Sequence, residues 1–486
     1  MTTFDADGIE LTQVEDYVWE IEAEGDMRVP ARVLASEDLL SEIADDKTLE
    51  QITNVTHLPG IQSPAVCMPD GHQGYGFPVG GVAATDAESG VISPGGVGYD
   101  INCGVRMVKT SLTYSDVKGR EQELVNALFE AVPSGLGGGG VVQGTTATVD
   151  DILERGMRWA LEEGYAVEDD LEHCEDNGYR EEADPAMVST EAKDRGKNQI
   201  GSLGSGNHFL EVQRVTDVFR EEVAEAFGLF EDQIVVLIHC GSRGLGHQVC
   251  TDYLRRIEGE HADLLERLPD RELAAAPAGS DLAEDYYGAM NAAINFAWVN
   301  RQLVTHQTRQ VFADVFDADW RDLDMDLLYD VAHNIAKKET HVVDGEEREL
   351  YVHRKGATRA FPPGHPEVPP AYRDVGQPVI IPGSMGAGSY VLRGGERSME
   401  LTFGSTAHGA GRLMSRTQAK REFWGGDVQD DLREDQQIYV KAQSGATIAE
   451  EAPGVYKDVD QVVRVSEELG IGDSVARTVP VVNIKG

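Results

Sequence analysis

Positive charge is what this chain is shortest of. Lys and Arg number 42 against 85 Asp and Glu, which gives a formal charge of −43 and a sequence pI near 4.5. Binding of nucleic acid through a broad basic face in dilute buffer is thereby disfavoured. The acids are spread along the chain, as in Asp5–Glu24, Glu162–Asp184 and Asp427–Asp435, and form no discrete tail. Such a surface suits concentrated salt, where the Debye length falls to about 3 Å near 1 M and self-repulsion is screened, so a halophilic source is expected. Cysteine is scarce as well. The five residues Cys67, Cys103, Cys174, Cys240 and Cys250 are odd in number and show no paired framework, and no secretion signal is read, so a reducing cytoplasm is expected. No run approaches 18 apolar residues, so no membrane-spanning helix is expected. A GxxxxGK[ST] phosphate loop is missing, as are local CxxC and HExxH metal motifs.

What is present reads as an α+β chain. Its 486 residues allow two or three domains, but no linker or fixed-period repeat divides them, which favours one large interleaved domain with mixed sheets and helices around a central cleft. Residues 1–60 read as a small mixed module integrated with it, with a strand at Val18–Glu22 and a helix over Glu37–Glu50. Strands joined by tight loops are expected over residues 67–85, and a helix over Gly119–Pro133. SGLGGGG, Ser134–Gly140, reads as a flexible loop. Residues 148–195 read as an acidic, mostly helical, solvated surface. Residues 281–318 read as a long helix with Tyr286, Met290, Ile294, Trp298 and Leu303 in the core. Strands at Ile234–Ile238, Met325–Val331 and Val379–Ile381 each run into a polar, small-residue segment.

Those segments hold the chemistry. PGGVGYDINCGVR, Pro94–Arg106, sets Asp100 three residues before Cys103 in a glycine-dense loop, a combination that core packing does not require. Four further segments set a histidine in a small-residue context: Asn207-His208, His239-Cys240-Gly241, His333-Asn334 and His408-Gly409. A lone histidine of this kind is more often a packed core residue than a ligand. Four of them with a carboxylate and a thiol point to a site for divalent transition ions such as Mn, Co, Ni or Zn, with the thiolate able to bridge a pair. The loops GSGNH, PGSMGAGS and HGAG offer backbone N–H groups to phosphate oxygens, although each alone is also an ordinary tight turn. Arg243, Arg354, Lys355, Arg359, Arg412 and Arg416 cluster beside these segments on an otherwise acidic chain, which implies a polyanionic partner.

Seven motifs occur in order: GYDINCGVR, GSGNHFLEV, IHCGSRGLG, VAHN, HRKGATRAF, IIPGSMG and AHGAGR. Together they resemble the RtcB family of RNA-splicing ligases, and the resemblance runs from about Pro69 to Lys485. It implies a GTP-dependent, Mn²⁺-dependent ligase that joins RNA 2′,3′-cyclic phosphate or 3′-phosphate ends to 5′-hydroxyl ends, with spliced tRNA halves as expected substrates and archease as an expected activating partner. By the same resemblance Cys103 bridges two ions, with Asp100 and His208 on one and His239 and His333 on the other. His408 is the implied nucleophile that carries GMP. The implied guanylate contacts are Asn207, His208, Phe209, Leu210, Glu211, His333, Asn334, Pro382, Gly383, Ser384, Met385, Ser389, His408, Gly409, Ala410, Gly411 and Lys485. Arg243, Lys355 and Arg412 are expected to hold RNA phosphates, and Asp70 and His72 to support the site. Two rivals stand beside this reading: a dinuclear metallophosphoesterase that hydrolyses cyclic phosphate ends, and a non-catalytic RNA-binding protein with a structural metal.

Overall fold

A computed structural model describes residues 2–135 and 139–486. The centre of the loop expected at Ser134–Gly140 lies outside the described residues. The fold is α+β, a single domain built on two eight-stranded sheets. The first sheet runs in the order Thr3–Ala6, Ile9–Glu15, Val18–Ile21, Ala31–Leu34, Ala65–His72, Val79–Asp86, Glu346–Lys355, Asn334–Val343, so the N-terminal strands continue the sheet that carries Asp70. The second runs Leu327–Ala332, Gly104–Thr113, Gln233–Cys240, Phe209–Val218, Gly472–Lys485, Ser389–Gly394, Pro378–Ile381, with Tyr439–Ala442 paired parallel to the long C-terminal strand.

In the second sheet, neighbouring antiparallel strands bring their functional ends to one edge. Gly104 pairs with both Cys240 and Ala332, and His239 pairs with both Val105 and Phe209. One rim therefore collects Cys103, His208, His239 and His333, because each lies at or just beyond the end of a different strand. Lys485 joins them opposite Phe209.

The helix Asp281–Phe316 spans 36 residues and packs behind this rim. Tyr286, Met290, Ile294, Trp298 and Leu303 are fully buried on it. It starts at Ser280, whose side chain accepts from Ala283 N, and stops at Asp317 in the left-handed region. Its polar residues anchor the rim. Asn300 Oδ1 accepts from Gly201 N (2.8 Å) and Ser202 N (3.0 Å), and Arg301 Nη1 donates to Asn102 O and Cys240 O, both at 2.7 Å. Buried loop carbonyls and amides need such partners, and here one helix supplies them.

Two local expectations change. The helix expected over Glu37–Glu50 is two helices, Glu37–Ala44 and Thr48–Val55, because Asp46 accepts from Thr48 N and starts a second turn. Residues 148–195 are not simply solvated surface. Val149, Ile152 and Leu153 join the core, and Asp170 and Glu175 are buried against Arg309 and Lys337. A buried carboxylate persists only when it is paired, and both of these are. All five cysteines are buried and unpaired. Among the described residues no helix is long and apolar enough to cross a membrane.

Candidate active site

Two groups of potential ligands share one sulfur. Cys103, His239 and His333 form the first and Asp100, Cys103 and His208 the second, with the ligand atoms of each group within 4.8 Å of one another. Cys103 Sγ lies 3.3 Å from His239 Nε2 and 3.5 Å from His208 Nε2; His239 Nε2 lies 3.2 Å from His333 Nε2. Asp100 Oδ2 is 2.8 Å from His208 Nε2. Gly241 permits this approach, since a Cβ there would sit 2.5 Å from Asp100 Oδ1.

The protonation of these groups follows from burial. Burial pushes the Cys103 thiol up, and the neighbouring Asp100 adds to that. Burial likewise holds His239 and His333 well below the ordinary imidazole value, and nearby imidazoles reinforce it. Burial alone would raise Asp100, but the hydrogen bond from His208 and the charges of His208 and Arg243 outweigh it and keep the carboxylate ionised. Neutral imidazoles, a carboxylate and a thiol that is costly to ionise alone make a donor set that a divalent cation completes. His239 Nδ1 and Asp70 Oδ1 are buried without a partner, so this region has not closed on itself.

His408 follows the strand Ser405–Ala407 and reaches the same cleft from the side of the first sheet. Its ring centroid is 4.8 Å from that of His333. Asp70 sits behind it. Asp70 Oδ2 accepts from His408 N (3.1 Å) and Gly409 N (3.2 Å) and lies 2.6 Å from His408 Nδ1, a close contact that is out of line for a hydrogen bond. Burial opposes ionisation of Asp70, and His408 more than offsets it.

A cleft of about 260 Å³ contains Asp100, Cys103, His239, His333 and His408. Its wall includes most of the expected guanylate residues: Asn207, Phe209, Asn334, Pro382, Gly383, Gly409, Ala410, Gly411 and Lys485. Strand alternation turns Leu210 away into the apolar core, and Met385 belongs to a small separate core, so neither side chain faces the cleft. Glu211 lies deeper, accepting from Gln213 Nε2 (2.5 Å) and from Asn483 Nδ2, and burial raises its carboxyl to about 7 against the pull of Lys485. Ser389 accepts from the same Gln213 at 3.1 Å. Ser384 is buried beside the wall residues Pro382 and Gly383.

The cations divide in a way the linear motifs conceal. Arg354 and Arg359 do not face the cleft. Arg354 is paired with Glu339 at 2.6 Å and Arg359 with Glu175 at 3.3 Å and Glu367 at 2.9 Å, so the expectation that they serve a polyanionic partner is corrected. Lys355, next along the strand, points the other way and lines the cleft, its Nζ donating to Tyr75 O and Phe77 O. Arg412 also lines it, while bonded to Glu451 (3.1 Å) and Tyr456 Oη (3.2 Å). Arg243 packs over Gly204, a position with φ +93° where a Cβ would strike the guanidinium, and donates to His208 Nδ1 at 3.0 Å.

These motifs and this rim have counterparts elsewhere. The family model for the tRNA-splicing ligase RtcB matches residues 51–486. The chain belongs to the RtcB family of tRNA-splicing ligases. It is accordingly an enzyme of the RNA ligase class. A relative from Thermococcus kodakarensis, also called tRNA-splicing ligase RtcB, is 55% identical over 98% of this chain and 99% of its own. Those from Methanococcus maripaludis, 53% identical over 95% of both chains, and Archaeoglobus fulgidus, 52% identical over 98% of this chain and 99% of its own, carry the same name.

Three contributors escaped the reading of the sequence. Arg301 ties Asn102 and Cys240, the immediate neighbours of Cys103 and His239, and Asp330 to one helix. Its signal was Asn300-Arg301-Gln302, a polar run directly after the apolar stretch Phe296–Val299. Asn483 and Gln213, which hold Glu211, gave no signal beyond being polar in strands. Beyond Asp100 and His208 a second cavity of about 990 Å³ opens as a groove lined by Arg195, Arg243, Arg416, Asn198 and Gln199.

Proposed function

We propose that this ligase joins RNA ends bearing a 2′,3′-cyclic phosphate or 3′-phosphate to RNA with a 5′-hydroxyl, using GTP and Mn²⁺, as in tRNA splicing and RNA repair. One observation carries the reading: His408 stands at the wall of the cleft lined by Asp100, Cys103, His239 and His333, with a buried carboxylate 2.6 Å behind its Nδ1. Asp70 favours the tautomer with the proton on Nδ1, which leaves the Nε2 lone pair free to attack phosphorus.

A cyclic end is first hydrolysed to the 3′-phosphate. His408 Nε2 attacks the α-phosphorus of GTP; the P–N bond forms as the bond to the β-phosphate oxygen breaks, and pyrophosphate leaves. An oxygen of the RNA 3′-phosphate then displaces the imidazole, so GMP passes to the RNA end. The 5′-hydroxyl attacks that 3′-phosphorus, loses its proton, and GMP departs as the phosphodiester forms. Asp70 stabilises the imidazolium character that His408 gains while it carries GMP. The five ligands fit a pair of borderline divalent ions, and Mn²⁺ is lowest in the affinity series, so its selection rests on supply and geometry. When bound, the ions supply charge neutralisation and orientation at the phosphates.

Glu211, as a carboxylate, accepts from the N1 and N2 edge of guanine, which adenine lacks, and Lys485 donates to O6. Loops Pro382–Met385 and Ala410–Gly411 would offer backbone N–H groups to phosphate oxygens, those of His408 and Gly409 being taken by Asp70. Arg243 is the candidate cation for RNA phosphate on the groove side, with Nη1 held by His208; Lys355 and Arg412, on the cleft side, would likewise exchange internal partners to contribute.

The test is incubation with labelled GTP and Mn²⁺. The wild type is expected to carry an acid-labile, base-stable adduct that His408→Ala lacks. Absence of the adduct from active wild-type protein overturns the proposal. Hydrolysis of cyclic ends without GTP, undiminished in His408→Ala, would instead favour the phosphoesterase.

A further inference from the structure

The cleft and the groove meet at one residue that the proposed chemistry does not use. Tyr99, next to Asp100, lines both cavities and is partly exposed. Its ring stacks on that of His247, with centroids 5.0 Å apart and planes inclined by 21°. Tyr75 meets Tyr99 edge-on, at 5.6 Å and 61°. His247 is exposed and projects from the helix Arg243–Glu260 into the groove, beside Arg243 and Arg195. The stacked pair opens to a groove lined by three arginines, Arg195, Arg243 and Arg416, with Asp100 and Asp194. It has the composition of a base platform: flat π faces beside guanidinium groups that take phosphate.

The two RNA ends differ in what they offer a protein. A 3′-phosphate is dianionic and is gripped by cations wherever it meets them. A 5′-hydroxyl is neutral, so its alignment must come from the first base and the phosphates behind it. The groove supplies cations for those phosphates, and Tyr99 with His247 supplies a face for the base within reach of the ligand rim. We propose that the Tyr99–His247 stack receives the first base of the 5′-hydroxyl RNA strand and holds that strand for attack. This rests on the RNA-joining reaction given above.

The experiment compares ligation of RNA with an intact or an abasic first nucleotide on the 5′-hydroxyl strand. Stacking of one base on an aromatic face corresponds to roughly 5- to 100-fold in kcat/KM, so wild type should show a penalty of that size for the abasic strand. Tyr99→Leu should bring the ratio close to 1, His247→Leu should reduce it, and Tyr99→Phe should keep it. An equal fall on both substrates in Tyr99→Leu and His247→Leu indicates a structural role and overturns the proposal. So does a penalty found only when the abasic site is the last nucleotide of the 3′-phosphate strand. If Tyr99→Leu fails to fold beside Asp100, His247→Leu decides alone. Adduct formation on His408 is assayed in parallel: its absence from wild type counts against the ligation chemistry, whereas an unchanged abasic penalty in the variants counts against the platform alone.

Discussion

Two buried polar clusters share the side chain of Arg301 and are built on opposite plans. Around Asp330, Arg106 Nε donates to Oδ2 at 2.7 Å, while Arg301 Nε and Nη2 donate to Oδ2 and Oδ1 at 2.8 Å. Donors meet acceptors there, two guanidinium groups converging on one carboxylate. Around Cys103, potential ligand atoms converge on one space: His239 and His333 present Nε2 to each other, the thiol faces both, and Asp100 meets His208 alongside. The first cluster is held by hydrogen bonds within the protein, with Arg106 Nη2 left over, whereas the second offers a donor set for an external cation. Burial of polar groups therefore does not distinguish structure from function in this molecule. The balance of donors and acceptors does.

The sharpest break of that contrast is Cys103→Ala. It removes the atom common to both ligand groups, so guanylylation and ligation should fall to background. The Mn²⁺-dependent rise in Tm, worth about 2.7 kcal/mol at a hundredfold excess over Kd, should vanish with them. Retained ion-dependent stabilisation would contradict the shared-sulfur arrangement.

Asp330→Asn probes the other cluster. It leaves two buried guanidinium groups undercompensated and should cost about 3–5 kcal/mol of stability, read by denaturant unfolding without added ions. A shift below about 1 kcal/mol would mean that Asp330 does not hold the two guanidinium groups as described.

Glu211 lies between the two plans, with partners on both oxygens and a carboxyl raised to about 7 by burial. Because the folded value is raised, the protonated form is favoured in the fold, a stabilisation fully present below about 4.5 and lost as pH rises through about 7. The proposed guanine recognition needs the carboxylate, so the KM for GTP should fall several-fold between pH 6 and 8, and Glu211→Gln should flatten that dependence. An identical profile in the variant would remove Glu211 from guanine recognition.

The smallest effect belongs to the surface. Arg32 and Glu20 pair at 2.9 Å while about a quarter to a third exposed. Glu20→Gln should change stability by less than about 1 kcal/mol, and less still in high salt.

Much of the site was legible because its residues sit in short segments whose composition has no packing rationale: Asp100 and Cys103 among glycines, and four histidines at strand ends. The strands themselves were legible from apolar runs, and their bounds moved by only a residue or two, as with Leu327–Ala332 and Gln233–Cys240. The cations were read less well. Arg354 and Lys355 are adjacent in sequence, but strand alternation sends one to Glu339 and the other to the cleft. Both faces of that strand are buried, so hydropathy carries no sign of which way either points. The acidic stretch at 148–195 misled for the same reason, since a carboxylate such as Glu175 looks solvated until Lys337 and Arg359 are found beside it.

The sequence by itself determined the family, the α+β class and the inventory of donor atoms, because side-chain chemistry and strand periodicity are local properties. Only the tertiary structure decided which donors share the sulfur of Cys103, that Asp70 stands 338 residues away behind His408, and that Arg301 braces the rim. Coordination and ion pairing act over about 3 Å in space, and nothing in the order of residues along the chain encodes those separations until the strands have paired.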